Sequence, residues 1–424
     1  MHKRLTLRRN FCWTFAGSMI ASGCQWGMLM AMTKILAAAQ VGGYVLALSV
    51  TAPVVLFSML QLRPIQVTDV QNRYSFGDYL GMRLVTNGAA ILVILGILIC
   101  LLGRYDFRVY TVILIVGLNK VIEATNEIAN GVMQKHDRMD RAALSLIIRN
   151  VGALIFLAVM LKLTNNLVWA VAAVGFWWLA VLLSFDRHNV KYFEPFAPRL
   201  VPRNLLALFW IGLPLGIVTG IITANANIPR YFVEGYLGTE NLAYFGAMSY
   251  VVIGTSRASL ALSHSAMATL SRYYFHNRKA YLRLLGKMVV LAGFLAVAAI
   301  LFAAHFGGPF LRLIYSAEYA LRQDVFVWLM AAAGLSMVVS MLNCGMTASR
   351  RFKSQVPVFS IAGAVCLLSS WLLIPQYGMK GAAWATLLTL IAQGLGGLIV
   401  IIWALRAPMA EAPQEMEGQS GGEL

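Results

Sequence analysis

Residues 285–306 read LGKMVVLAGFLAVAAILFAAHF, twenty-two positions in which Lys287 is the one Lys, Arg, Asp or Glu. At 1.5 Å per residue a helix of that length spans about 33 Å, enough to cross a hydrocarbon core about 30 Å thick. The run shows no apolar/polar alternation, and a transmembrane barrel strand needs only about 10 residues. A helix satisfies its backbone groups within itself, which lipid demands. The stretch therefore reads as a membrane-spanning helix.

Working outward, eleven further runs have the same character: 11–33, 41–62, 82–103, 109–132, 143–161, 166–184, 204–228, 242–270, 325–347, 355–374 and 380–405. The first is too long and polar for a signal-peptide core and reads as a retained span. The chain of 424 residues is 59% hydrophobic and only 12% charged. A soluble protein carries about 25% charged residues, so an ordinary soluble enzyme, a disordered chain and a soluble nucleic-acid binder are excluded. The expected fold class is all-α and polytopic, with about 12 transmembrane helices.

The net charge of +17 needs a membrane reading. Twelve spans place both ends on one side. The loops of that side carry 23 Lys and Arg, those of the other side 8. By the positive-inside rule both termini are expected in the cytoplasm, with the basic loops beside anionic lipid. The cysteines (Cys12, Cys24, Cys100, Cys344, Cys366) all lie in apolar runs and read as small hydrophobes. No loop is long enough to hold a catalytic centre, and no Walker A, H-E-x-x-H or G-x-S-x-G motif stands in a suitable setting. An enzyme, a metal site and a cofactor are not expected.

The connection 185–203, with Pro195, Pro198 and Pro202, divides the spans six and six. The expected domains are 1–195, 196–408 and an acidic, Gly-rich cytoplasmic tail, 409–424. Tyr79-Leu80 and Arg83-Leu84 are echoed by Tyr281-Leu282 and Arg283-Leu284 about 200 residues on, which fits parallel repeats around a substrate path.

Ionisable groups at bilayer depth are costly and face a bundle interior or a wet cavity. The fourth span carries Asn119, Lys120, Glu123, Asn126, Glu127 and Asn130. The i,i+3 and i,i+4 spacings put Lys120, Glu123 and Glu127 on one face. That face either lines a transport cavity with a titrating carboxylate or locks helix packing through a Lys–Glu pair. Arg257 lies deep in the eighth span with His264 two turns on; it is either a site for an anionic ligand or the partner of Glu123 or Glu127. Arg149 sits near the start of the fifth span, where snorkelling is the simpler account. Spans one (Thr14, Ser18, Ser22, Gln25) and seven (Thr219, Thr223, Asn225, Asn227, between Pro214 and Pro229) carry small and hydroxylated stripes that suit close packing or, through the prolines, bending.

Four stretches carry a family resemblance: 60–66 running into 74–80 (LQLRPIQ, YSFGDYL); 134–140 (QKHDRMD); 227–232 with 236–238 (NIPRYF, YLG); and 374–378 with 381–385 (IPQYG, GAAWA). Together they resemble bacterial polysaccharide-biosynthesis membrane proteins. These are lipid-linked oligosaccharide flippases related to the MATE drug exporters, in the multidrug/oligosaccharidyl-lipid/polysaccharide exporter superfamily. The resemblance implies two six-helix lobes around a central V-shaped cavity. It also implies an oligosaccharide on a polyprenyl diphosphate as substrate, carried from the cytoplasmic to the outer leaflet of the bacterial inner membrane. Arg257, Lys120, Arg149 and Arg230 are the cations expected to meet the diphosphate by charge-assisted hydrogen bonds. Arg230 belongs to the NIPR stretch and is expected at the outer end of its span. Glu123 and Glu127 are the expected ion-coupling groups, with a proton or Na+ as coupling ion. Glycosyltransferases and a glycan polymerase are the expected protein partners. The rival reading is an ion-coupled multidrug exporter of the MATE type, for which acids rather than cations should dominate the cavity.

Overall fold

A computed structural model describes the backbone of residues 7–69, 71–349 and 352–406, and their side chains except at 7, 8, 11, 251–265, 267, 268, 352 and 353. Among the described residues every regular element is helical. In order these are α1 (Leu7–Ile35), α2 (Ala38–Ser58), α3 (Leu62–Thr68), α4 (Phe76–Cys100), α5 (Phe107–Lys135), α6 (Met139–Thr164) and α7 (Leu167–Val181). A π turn, Leu182–Asp186, continues α7 into the short α8 (Arg187–Lys191). Then follow α9 (Pro202–His276), α10 (Arg278–Ile314), α11 (Ala317–Ala320), α12 (Gln323–Ala348) and α13 (Phe352–Arg406).

Two of these are really pairs. Gly238 (φ 82°) breaks α9 into limbs α9a (202–237) and α9b (239–276), and Gly378 (φ 59°) breaks α13 into α13a (352–377) and α13b (379–406). Positive φ is open to glycine at little cost. The neighbours prove a reversal at each. Along α2, Leu60 abuts Gly212, Phe57 abuts Gly216 and Gly220, the Ser49 carbonyl accepts from the Tyr231 hydroxyl, and Gly42 abuts Thr239. Past Gly238 the order turns back, because Gly246 rests on Val45. Likewise Gly381 lies against Leu373, and Gly396 against Val358. Long helices therefore number twelve among the described residues, as the sequence leads one to expect. Among the described residues eight segments are long and apolar enough to cross a membrane, and two of them, Pro202–Tyr250 and Ser354–Arg406, each run through a glycine corner. The chain is an all-α, multi-pass membrane protein. Its lipid-facing surface is apolar, with residues such as Leu92, Phe176, Trp210, Phe294 and Ile399 more than half exposed.

The residues form two compact units. One holds those up to Tyr250 together with Pro309–Leu321; the other holds Val251–Gly308 and those from Arg322 on. Limb α9a thus lies with the first unit. The cause is a Gly212-x3-Gly216-x3-Gly220 stripe that meets α2: a Cβ on Gly216 would stand 2.8 Å from Leu60 Cδ2 and 2.9 Å from the Phe57 carbonyl oxygen. Small residues at this spacing let helix backbones approach in lipid. The 192–201 connection is also fastened to the first unit. Glu194 accepts from the Phe76 N–H at 2.9 Å, the Arg199 N–H donates to the Gly77 carbonyl at 2.8 Å, and Asn204 donates to Asp78 at 3.1 Å. Ser75 and Asp78 cap α4 reciprocally at the same place.

In the second unit Tyr281, fully buried, donates to the Gly345 carbonyl at 3.0 Å, and Tyr274 donates to the Ala404 carbonyl at 3.0 Å. These tie α10 to α12 and α9b to the end of α13b. The core there gathers Leu285, Met288, Met341, Leu342 and Ile401.

Gly42→Ala tests the packing: its Cβ would stand 1.8 Å from the Thr239 carbonyl oxygen. Overpacking against backbone should remove about 1–3 kcal/mol and lower the Tm measured in detergent. Gly88→Ala, where a Cβ meets nothing within 4 Å, should instead hold or raise the Tm by removing helix-interior glycine, worth about 0.5–1 kcal/mol.

Candidate functional site

Helix α5 is less apolar than its neighbours because its buried faces are polar. One face turns to α7, where Asn119 donates to the Val171 carbonyl at 2.9 Å and presses on Gly175, leaving no room for a Cβ there. Another turns to α4, where Asn87 donates to Thr125 and to the Val121 carbonyl. Between them lie the charges. Lys120 Nζ donates to Glu123 Oε2 at 2.8 Å, and Arg149 Nη2 of α6 approaches Glu123 Oε1 at 3.7 Å. The two oxygens of one carboxylate thus face two different cations. Lys120 and Glu123 are about a quarter exposed, whereas Arg149 is buried. Its guanidinium also lies 5.5 Å from the Trp178 ring centroid, a cation–π distance. Deep burial, rather than snorkelling, describes Arg149.

Lys120 borders a cavity of about 60 Å³ lined among others by Gln25, Tyr44, Asn119, Trp178 and Tyr250. That volume takes water molecules and is far below the roughly 300–1,000 Å³ of a small-molecule pocket. Tyr250 on α9b feels the charges of Arg230, Lys120 and Glu123. Arg230 lies on α9a just past the apolar run 204–228, eight residues before the Gly238 corner; its Nη1 donates to Asn227 Oδ1 at 3.1 Å. Within the first unit the fold thus brings Lys120, Glu123, Arg149 and Arg230 into one electrostatic neighbourhood. Glu127, one turn further along α5, lies in the field of Arg83, Arg63, Glu123 and Arg149, in descending order. Arg257 and His264 lie outside the residues whose side chains are described.

Three participants escaped the sequence reading. Arg83 counted there as a loop charge, yet it lies two turns inside α4 with no measurable exposure. Arg63, also counted with the loop, opens α3 and donates to Gln134 Oε1 at 3.0 Å. Asp186 was assigned to the connection after span six, but α7 runs on through its π turn and leaves Asp186 fully buried, beside Ser145 and Arg149. A local π turn is a frequent mark of a functional position. The available signal was the extra turn of helix-compatible residues after 184, which carried no Gly or Pro until Pro195. Among the described residues this network holds five cations (Arg63, Arg83, Lys120, Arg149, Arg230) against three acids (Glu123, Glu127, Asp186). It can attract an anion, and it can exchange a cation's carboxylate partner for another acceptor. No cluster of three His, Cys, Asp or Glu suited to a metal occurs among the described residues.

Opening the Lys120–Glu123 contact should expose its coupling. Glu123→Gln leaves Lys120 and Arg149 facing each other without their shared counter-charge. With both pair members partly exposed, a loss of about 1–2 kcal/mol is expected, discounted from the roughly 3–5 kcal/mol of a fully buried pair. Lys120→Met combined with Glu123→Gln should cost clearly less than the sum of the single changes when Tm values are compared in detergent, whereas additive losses would mean that the two do not interact.

Residues 7–273 match a family model described as "Polysaccharide biosynthesis protein". A capsular polysaccharide biosynthesis protein, CapF, of Staphylococcus aureus is 25% identical over 392 residues, which cover 88% of this chain and 94% of that protein. Among solved structures, the lipid II flippase MurJ in an inward closed conformation superposes with a TM-score of 0.70 at 13% identity, over 93% of this chain and 87% of that one. An inward-facing multidrug resistance MATE family transporter of the MOP superfamily gives 0.66 at 12% identity, over 95% and 94%. Likeness at that identity fixes the fold alone.

Proposed function

The chain belongs to the polysaccharide biosynthesis protein family, and from that premise we propose that it is a flippase. It carries an oligosaccharide linked to a polyprenyl diphosphate from the cytoplasmic to the outer leaflet of a bacterial inner membrane, by alternating access. The observation that carries this reading is that two cations, Lys120 and Arg149, share the single carboxylate of Glu123. A diphosphate is a dense anion, and Lys120 and Arg149 are placed to bind it by charge-assisted hydrogen bonds once it competes with Glu123 for them. Arg230 adds positive charge on the Tyr250 side, and Arg257 is retained as a candidate from the sequence. The cavity of about 60 Å³ beside Lys120 must widen for any head group to enter, so binding and conformational change are linked. A ligand shifts such an equilibrium only through different contacts in the two states. Exchange of Glu123 for phosphate oxygens on Lys120 and Arg149 supplies that difference.

A carboxylate released from its cations inside lipid is costly unless it gains a proton or another cation. Glu123 or Glu127 would therefore couple transport to H+ or Na+. The positive-inside rule supports a cytoplasmic location for both termini, the side on which glycosyltransferases would build the substrate. Delivery to a glycan polymerase on the outer side completes the reading. The reaction moves a molecule and forms no bond, so no catalytic residue is assigned.

The test uses a strain lacking the gene and complemented with variants. Lys120→Ala and Arg149→Ala should each cut surface glycan tenfold or more while the protein remains in the membrane, and lipid-linked glycan should accumulate on the cytoplasmic leaflet. Normal export by both would remove these cations from the mechanism. Loss of drug tolerance with intact glycan export would favour the multidrug reading instead.

A further inference from the structure

We propose that Arg83, with Gln66 and Arg63, holds a small inorganic anion of chloride's size where α3, α4 and α5 meet. Arg83 has no measurable exposure, and none of its three guanidinium nitrogens has a hydrogen-bond partner among the described residues. Gln66 is 1% exposed, and both ends of its amide are likewise unpartnered. A buried guanidinium has five donors to satisfy and cannot shed its charge. Leaving them unmade in a low-dielectric interior is among the costliest arrangements a fold can hold.

Placement ties these groups together. Gln66 presses on Gly131, where a Cβ would stand 2.2 Å from Gln66 Oε1. Gly131 follows Glu127 by one helical turn and so shares its face of α5. Arg63 reaches the same face, donating to Gln134 one turn further on. Arg83 and Arg63 both lie in the field of Glu127, and Arg149 lies in that of Arg63. Yet Glu127 closes no ion pair with Arg83 or Arg63 among the described residues. Arg149 is engaged by Glu123, so Arg83 and Arg63 are left against the one carboxylate of Glu127, a local surplus of positive charge. A water molecule could accept hydrogen bonds from Arg83 but would leave that surplus standing, whereas an anion supplies the acceptor and the counter-charge at once. The Gln66 amide adds a neutral donor. The complete burial of Arg83 excludes a sugar diphosphate as the occupant and selects a monatomic or similarly small anion.

This site does not rest on the transport reading, since its occupancy is measured without substrate. The full-length protein in detergent is titrated with sodium chloride against sodium gluconate at fixed ionic strength, with Tm as the readout, because a ligand that binds only the folded state raises Tm with concentration. The native protein should show a saturable rise. Arg83→Gln should weaken the apparent chloride affinity at least tenfold, and Gln66→Leu, which keeps the charge, should weaken it severalfold. Arg108→Gln, an exposed cation elsewhere on α5, should respond like the native protein. A native Tm indifferent to chloride would overturn the proposal, as would a response in Arg83→Gln equal to the native one. If Arg83→Gln does not fold, Gln66→Leu decides: a native-like chloride response from it sinks the site.

Discussion

A charge inside a bilayer must find its counter-charge within the protein, because neither water nor lipid supplies one at tolerable cost. In this chain that constraint concentrates on α5. Glu123 divides its two oxygens between Lys120 on its own helix and Arg149 on α6. The helices around it are arranged so that those three groups meet: Asn119 ties α5 to α7, Asn87 ties α4 to α5, and Trp177 of α7 donates to the Ile148 carbonyl of α6. Each of these side chains satisfies a neighbour's backbone or hydroxyl group. The polar contacts that would be expensive singly become the framework on which the first unit is assembled.

The surplus of cations over acids gives the unit a chemical preference. A balanced set of pairs would be a lock; two cations, Lys120 and Arg149, on the one carboxylate of Glu123 leave positive charge to spare. The MATE-like and MurJ-like fold is shared by carriers of different cargo, so the fold by itself does not choose between them. On the reading proposed above, the charges weigh toward an anionic cargo.

Much of this architecture was legible in the sequence. Twelve apolar runs became twelve long helices because length and hydropathy decide spanning helices almost alone. The polar face of α5 was legible because polar residues at helical spacing stand out in an apolar run. What escaped sat at the ends of runs, where a charge looks like loop. Arg83 and Asp186 were assigned to connections, yet both are buried well inside helices that continue past the apolar stretch. Hydropathy marks where lipid is, and a helix can extend beyond it when protein covers the extension. The Tyr79–Tyr281 echo falls on core positions. Both tyrosines are fully buried in the cores of their units. The arginines that follow are not equivalent, since Arg83 is buried and Arg283 exposed; the spacing slips by two residues between them.

The corners at Gly238 and Gly378 bear on biogenesis. Each reverses the chain within a single residue, so the two limbs meet helix to helix with no irregular loop between them. Such a corner favours entry of the two limbs into the membrane as a hairpin. A side chain at either corner would strain the positive-φ backbone, and the damage would be read in the yield of membrane-integrated protein.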